Sequence, residues 1–367
     1  MRFFLVMTSF FPLLLFGSSG VGLKTADSAE IHSSSHEEKE KFKPGDFIFD
    51  HIKDAHDWHI LTIGEHHVSI PLPVILYSST SGWHFFLSSK FHHGHEGYKG
   101  FFLCTSGEYK GKIIEKHSDG SISLPLDLSL TKNALSILIS VVLISWIFIS
   151  VARAYRKHPA EPPKGLQNAL EVFILFIRDE VAKPSIGKHY QRFMPYLLTV
   201  FFFIWINNMM GLIPVFPGGA NVTGNIAVTG ILALFTFMLT TLNGNKHYWL
   251  EIFNAPGVPW WLKIPVPLMP VVEIAGMLIK PAVLMIRLFA NIAAGHIIAL
   301  GFFSLIFIFA QIAPALGYGV SVLSVTFVVF MSLLELLVAL IQAYVFTLLS
   351  SIFFGMATAE PHEEKHE

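Results

Sequence analysis

Two long apolar stretches near the C-terminus, 271–313 and 320–359, constrain this chain more than anything else in it. As continuous helices they would measure about 65 and about 60 Å, against a bilayer hydrocarbon core of about 30 Å. Each must therefore lie steeply tilted or be broken, with Pro281, Gly295 and Gly301 as the bend positions the sequence offers. The intervening APALGYG reads as a turn, so the two arms should form a hairpin.

The first arm carries polar and charged side chains at membrane depth: Glu273, Lys280, Arg287, Asn291 and His296. Glu273, Lys280 and Arg287 recur every seven residues, nearly two full helical turns, so they share one stripe with Asn291 one turn beyond Arg287. His296 is nine residues past Arg287 and falls on the opposite face of an ideal helix. Either the helix is distorted near Gly295, or Arg287 faces a partner while His296 faces a channel behind it. In the second arm Glu335 is the lone charge, with Gln342 over the same stripe. A charge in hydrocarbon costs at least about 2.5–3.5 kcal/mol, so such residues read as functional by default. Arg287 is the sharpest case because a guanidinium cannot shed its proton. His296 and Glu335 can each gain and lose one, which suits a proton relay. The structural alternative is an ion pair between Arg287 and Glu335. Lys280 also reads as a side chain snorkelling to the interface, and Glu273 as an interfacial carboxylate.

Composition agrees with a multi-pass helical membrane protein: 53% of residues are hydrophobic and 14% charged. The net charge of −1 argues against a nucleic-acid partner. Cys104 is the only cysteine, which excludes an intramolecular disulfide and a cysteine-based metal site.

Residues 1–22 have the shape of a signal peptide, and 23–46 are polar, charged and expected to be disordered. Residues 47–130 hold short β-prone runs separated by Gly, Ser and Asp, expected to form a small exported β-rich domain. Residues 24–130 carry twelve of the eighteen histidines, including His66-His67 and His92-His93-x-His95, without the spacing of a defined metal site.

The membrane domain should occupy 131–358, with a cytoplasmic tail at 359–367. A first span at 131–151 is followed by Arg153, Arg156 and Lys157, so it runs from outside to inside. An amphipathic helix at 166–183 should lie on the cytoplasmic surface. Spans at 193–212 and 222–242 follow, then a cationic stretch with Trp260-Trp261 as interfacial anchors. Asn221-Val-Thr223 matches a glycosylation sequon by chance. The expected fold is thus all-α, with five membrane-crossing helices, one surface helix and the small exported β-rich domain.

The run KPAVLMIRLFANIAAGHI resembles the signature of subunit a of rotary F-type ATP synthases. NNMMGLIPVFPGG and LELLVALIQAYVFTLLSSIFF are similar to an earlier motif and the last helix of the same family, so the resemblance covers about 130–358. It implies a stator subunit in a bacterial inner membrane, conducting protons through two half-channels past Arg287, which faces the carboxylate of a rotating c-ring. Asn291, His296, Glu335 and Gln342 match polar positions near the exported-side channel, and Glu273 one near the cytoplasmic channel, with Lys280 secondary. Some members place Glu in the first arm and His in the second; here they are His296 and Glu335. Implied partners are the c-ring proteolipids, peripheral-stalk b subunits, membrane lipid and, indirectly, the F1 sector. No cofactor or metal is expected, and this chain offers no site for ATP chemistry. The rival reading is a secondary cation/proton antiporter, although no internal repeat of the transporter kind is visible.

Overall fold

The computed structural model describes residues 44–45, 48, 52–63, 66–94, 96–104, 109–117, 120–157, 161–213, 216–253 and 268–359. The expected signal, most of the linker, Trp260-Trp261 and the C-terminal tail past 359 lie outside these residues.

The β-prone runs of the N-terminal region fold into eight short strands. A hairpin pairs β1 (Asp57–Ile63) with β2 (His66–Pro71). A three-stranded sheet places β3 (Pro73–Ser78) between β4 (Gly82–Leu87) and β8 (Leu126–Asp127). A second one orders β5 (Phe101–Leu103), β6 (Ile113–Lys116) and β7 (Ile122–Ser123). Alternation sends Val74 and Leu76 inward against Phe91, Phe101 and Ile113, a small core of its own. Glu115 is buried beside this core and accepts hydrogen bonds from the hydroxyls of Ser78 (2.6 Å), Thr80 (3.1 Å), Ser81 (3.1 Å) and Ser123 (3.3 Å). Burial alone would push its pKa up; the hydroxyls and the His117 charge hold it below the ordinary value instead. Among the described residues no group of three or more His, Cys, Asp or Glu side chains converges as a metal site.

The helical part begins with α1 (Lys132–Lys157), which ends on Arg156 and Lys157. Its buried stripe, Asn133, Ser136, Ile137, Ser140 and Ile144, is rich in small polar groups that allow close helix approach. α2 (Leu166–Phe176) passes through a π-helical turn, Ile177–Ala182, into the short α3 (Lys183–Ile186). The sequence suggested a helix resting on the surface. In the structure its expected apolar stripe is covered: Leu170, Ile177 and Val181 are buried in the main core, followed by Ala182 and Ile186, while Glu180 stays exposed.

α4 (Tyr190–Leu212) runs through the centre, followed by α5 (Ile226–Leu242) and α6 (Lys246–Phe253). The chain closes with α7 (Leu268–Ile312) and α8 (Pro314–Thr358), the expected hairpin. Among the described residues four helical segments are long and apolar enough to cross a membrane, and α5 with α6, bent by 102°, makes up to a fifth.

Two expectations about the hairpin are corrected. APALGYG is not a loop: Ala313 alone, extended at φ −154°, separates the two helices. Pro314 occupies a first helical position, where its missing N–H would have no partner anyway. Gly317 lets the arms touch, since a Cβ there would meet Ala310 Cβ at 2.7 Å. Nor is α7 broken at Pro281, Gly295 or Gly301; helix continues through all three, leaving tilt or gentle curvature to fit about 68 Å of helix into the bilayer.

The β region is fastened to the helical part by polar contacts. Asn133 N–H donates to Asp54 Oδ1 (3.0 Å) and Lys132 N–H to the Ala55 carbonyl (2.9 Å), so residues far upstream cap the start of α1. His56 Nε2 lies 2.7 Å from Asp127 Oδ2. Burial disfavours a charged His56, but the hydrogen bond and charge of Asp127, helped by Asp54 and Asp57, raise its pKa above 6.5. Burial likewise opposes a charged Asp127, and His56 lowers its pKa below 3.8. The His56 contribution is complete below 6.5 and lost as pH rises through the raised value; that of Asp127 is complete above 3.8 and lost as pH falls through the lowered one. Protection of the Asn133 amide from hydrogen exchange is therefore expected to be highest between these limits and to decline in alkali. His56→Ala should remove the decline and about 1.5–3 kcal/mol of local protection. Identical pH profiles in the two proteins would contradict this account of the junction.

Candidate functional site

On α7, Leu284, Leu288 and Ile292 follow one another at i, i+4 spacing and are buried against the bundle. That face continues into His296. Arg287, Ala290, Asn291 and Ala294 lie on the exposed side. The helix keeps its period through Gly295, so Arg287 and His296 diverge because they are nine residues apart, not because the helix is distorted. Around Arg287 the exposed neighbours Val283, Ile286 and Ala290 are apolar, and Asn291, one turn on, is polar but uncharged. Among the described residues Arg287 makes no ion pair; Glu335 stands instead with His296.

His296 Nδ1 lies 3.1 Å from Glu335 Oε1, and Glu335 is only 7% exposed. Oε1 nonetheless receives no well-directed hydrogen bond. Gly295 makes the approach feasible, because a Cβ there would sit 2.8 Å from that oxygen. One turn before, Asn291 Nδ2 donates to Gln342 Oε1 at 2.8 Å, joining the two arms next to Arg287. His296, Glu335, Asn291 and Gln342 are thus brought together.

The structure adds residues that sequence reasoning missed. His296 and Glu335 open on a narrow cleft, also lined by Asn207, Asn208, Gly211, Asn221 and Thr223. Thr223 Oγ1 donates to Asn208 Oδ1 (2.5 Å), and Asn208 Nδ2 to the Ala339 carbonyl (3.3 Å). Both amide atoms of Asn221 are buried without a partner. The signal was present: two consecutive asparagines in an apolar span are costly unless they serve a polar path. Asn221 and Thr223, read as a chance sequon, line one wall of the cleft. The cleft lies toward the β region, since Trp58 packs on Phe216 (5.2 Å), just before Asn221.

A second cleft, about 310 Å³, opens elsewhere on α7. It is lined by Lys280, Pro281, Met277, Thr240, Tyr248 and Phe353. Lys280 Nζ stands 6.0 Å from the Phe353 ring centre. Lys280 is therefore a cleft residue, whereas the half-buried Glu273 lines neither cleft. The sixteen residues from Lys280 to His296 rise about 24 Å along the helix, with Arg287 between the two openings.

Comparison with known proteins finds relatives over the helical part. The family model described as ATP synthase A chain matches residues 134–355, and a domain of unknown function, DUF8433, matches 47–134. ATP synthase subunit a of Chloroherpeton thalassium is 42% identical over 245 residues, 65% of this chain and 68% of the relative. ATP synthase subunit a 2 of Chlorobaculum tepidum is 43% identical over 260 residues, 68% of this chain and 70% of the relative. That of Myxococcus xanthus is 42% identical over 244 residues, 65% of this chain and 75% of the relative. Matched over more than half of its length, this chain belongs to the ATP synthase A chain family.

Proposed function

We propose that Arg287 is the fixed charge between two offset half-channels of a proton-translocating stator subunit in a rotary ATP synthase. The family supports this over the antiporter reading, which nothing in the relatives favours. The observation that carries the assignment is the isolation of Arg287, a permanent cation among exposed apolar side chains with no ion-pair partner among the described residues. Such a charge is tolerable in a membrane only if a partner brings a carboxylate to it. A c-ring proteolipid passing this face of α7 would do so, with peripheral-stalk b subunits holding the stator still.

In this reading the Asn208–Asn221–Thr223 cleft carries protons from the exported side to His296 and Glu335. Asn291 and Gln342 then keep the hairpin arms in register beside Arg287. The Lys280 cleft opens to the cytoplasm, with Glu273 an acidic group near its mouth. Orientation follows the cations: Arg153, Arg156 and Lys157 end α1 inside, which places the β region outside and the C-terminus in the cytoplasm. Residues 1–22 act as the export signal, 47–130 form the exported domain and 131–358 the membrane domain. One proton crossing 100 mV releases about 2.3 kcal/mol, so several must pass per ATP and leakage between the half-channels must be small.

Sidedness gives the test. Single cysteines at Asn221→Cys and Thr240→Cys, in a Cys104→Ser chain within the assembled complex, should react with a membrane-impermeant maleimide from opposite sides. Labelling of both from one side would refute two offset half-channels.

A further inference from the structure

The sheet formed by β4, β3 and β8 has one face in the small core and one face in the open. Register defines the open face. Tyr77 of β3 lies between Trp83 of β4 and Leu126 of β8, and Ile75 lies opposite Phe85. Leu87 ends the β4 row. Trp83 is 55% exposed, Phe85 68%, Leu87 49%, Tyr77 42% and Leu126 45%. Trp83 stacks on Phe85 at 6.1 Å and tilts against Tyr77 at 5.0 Å, so the rings form one continuous surface. No charged side chain stands in these rows: Asp127 and His84 point to the other side, to His56 and Phe101 respectively. Soluble faces of this size are seldom left to water.

We infer that this face rests on the lipid headgroup region of the leaflet through which α1 enters the membrane, and that Tyr77, Trp83 and Phe85 are its interfacial anchors. Chain length supplies the first argument. β8 ends at Asp127 and α1 begins at Lys132, so even a fully extended connection holds the sheet within about 18 Å of the first membrane helix. Continuity supplies the second. α1 itself exposes Leu138, Val142 and Trp146 along one stripe, so an apolar exposed surface resumes twelve residues after Leu126. Composition supplies the third. Tryptophan and tyrosine, apolar rings with one polar tip, favour the membrane–water boundary over either bulk phase, and the single hydroxyl of Tyr77 needs only a headgroup or water.

The test uses the assembled complex with a Cys104→Ser chain carrying Phe85→Cys, labelled with an environment-sensitive fluorophore. Phe85 points out of the fold, so its replacement leaves the core intact. In nanodiscs of phosphatidylcholine the probe should emit at blue-shifted wavelength. Acyl-chain-brominated phosphatidylcholine should quench it at least about twofold, and aqueous iodide should quench it weakly. A probe at Leu87→Cys should behave the same way. Water-like emission with strong iodide quenching would overturn the inference, as would shielding from both quenchers, which would mean a protein covers the face.

Discussion

Replacing Arg287 with alanine is expected to reduce ATP-driven proton pumping in inverted vesicles by about 10–1000-fold. The range follows from the arginine's task. A cation within a few ångströms of a carboxylate lowers its pKa by about 1–3, a 10–1000-fold bias toward releasing the proton at that point of the cycle. Without Arg287 no cation remains at that depth of α7: its exposed neighbours Val283 and Ile286 are apolar, and Lys280, on the same stripe, lies about 10 Å away along the helix. Arg287→Lys should recover part of the activity, because a lysine keeps the charge at neutral pH but can itself deprotonate in an apolar setting. Pumping at the parental rate in Arg287→Ala would remove the residue from the mechanism.

Glu335→Leu is expected to lower both ATP-driven pumping and passive proton conduction by about 100-fold, the lower end of what a positioned proton-transfer group contributes. Glu335 is the carboxylate 3.1 Å from His296, and leucine leaves that imidazole without its partner while filling the cleft with an apolar group. His296→Leu should act in the same direction. The double variant should be little worse than either single one, since the two residues serve one relay. Independent, multiplying losses measured by quenching of a pH-sensitive dye would show that they lie on separate paths.

Much of this was legible in the sequence because membranes make charge expensive. Arg287, His296 and Glu335 stand out against apolar runs, and the face separation of Arg287 from His296 follows from helical arithmetic alone. Other features depend on packing between distant segments. Asn208, Asn221 and Thr223 are unremarked singly, and only the folding of 216–225 onto α4 gathers them into one wall. Pro314 and Gly317 carry turn chemistry, yet one is spent on a helix start and the other on close approach to Ala310. The helix at 166–183 buries the apolar stripe that its pattern announces, Leu170, Ile177 and Val181, whereas the π turn at 177–182 leaves no mark in the periodicity. The β region was legible as short strands, while its attachment through Asp54, His56 and Asp127 depends on contacts far apart in sequence, Asn133 to Asp54 among them.

The barrier role of Arg287 is tested most directly by passive proton flux through the membrane sector with its rotor cross-linked to the stator. With rotation blocked, the parental complex in liposomes should conduct no protons under an imposed gradient, because the half-channels meet only by way of the moving carboxylate. Arg287→Ala, locked in the same way, should conduct, since the fixed charge that separates the two clefts is gone. A locked Arg287→Ala complex as tight as the locked parent would contradict the account.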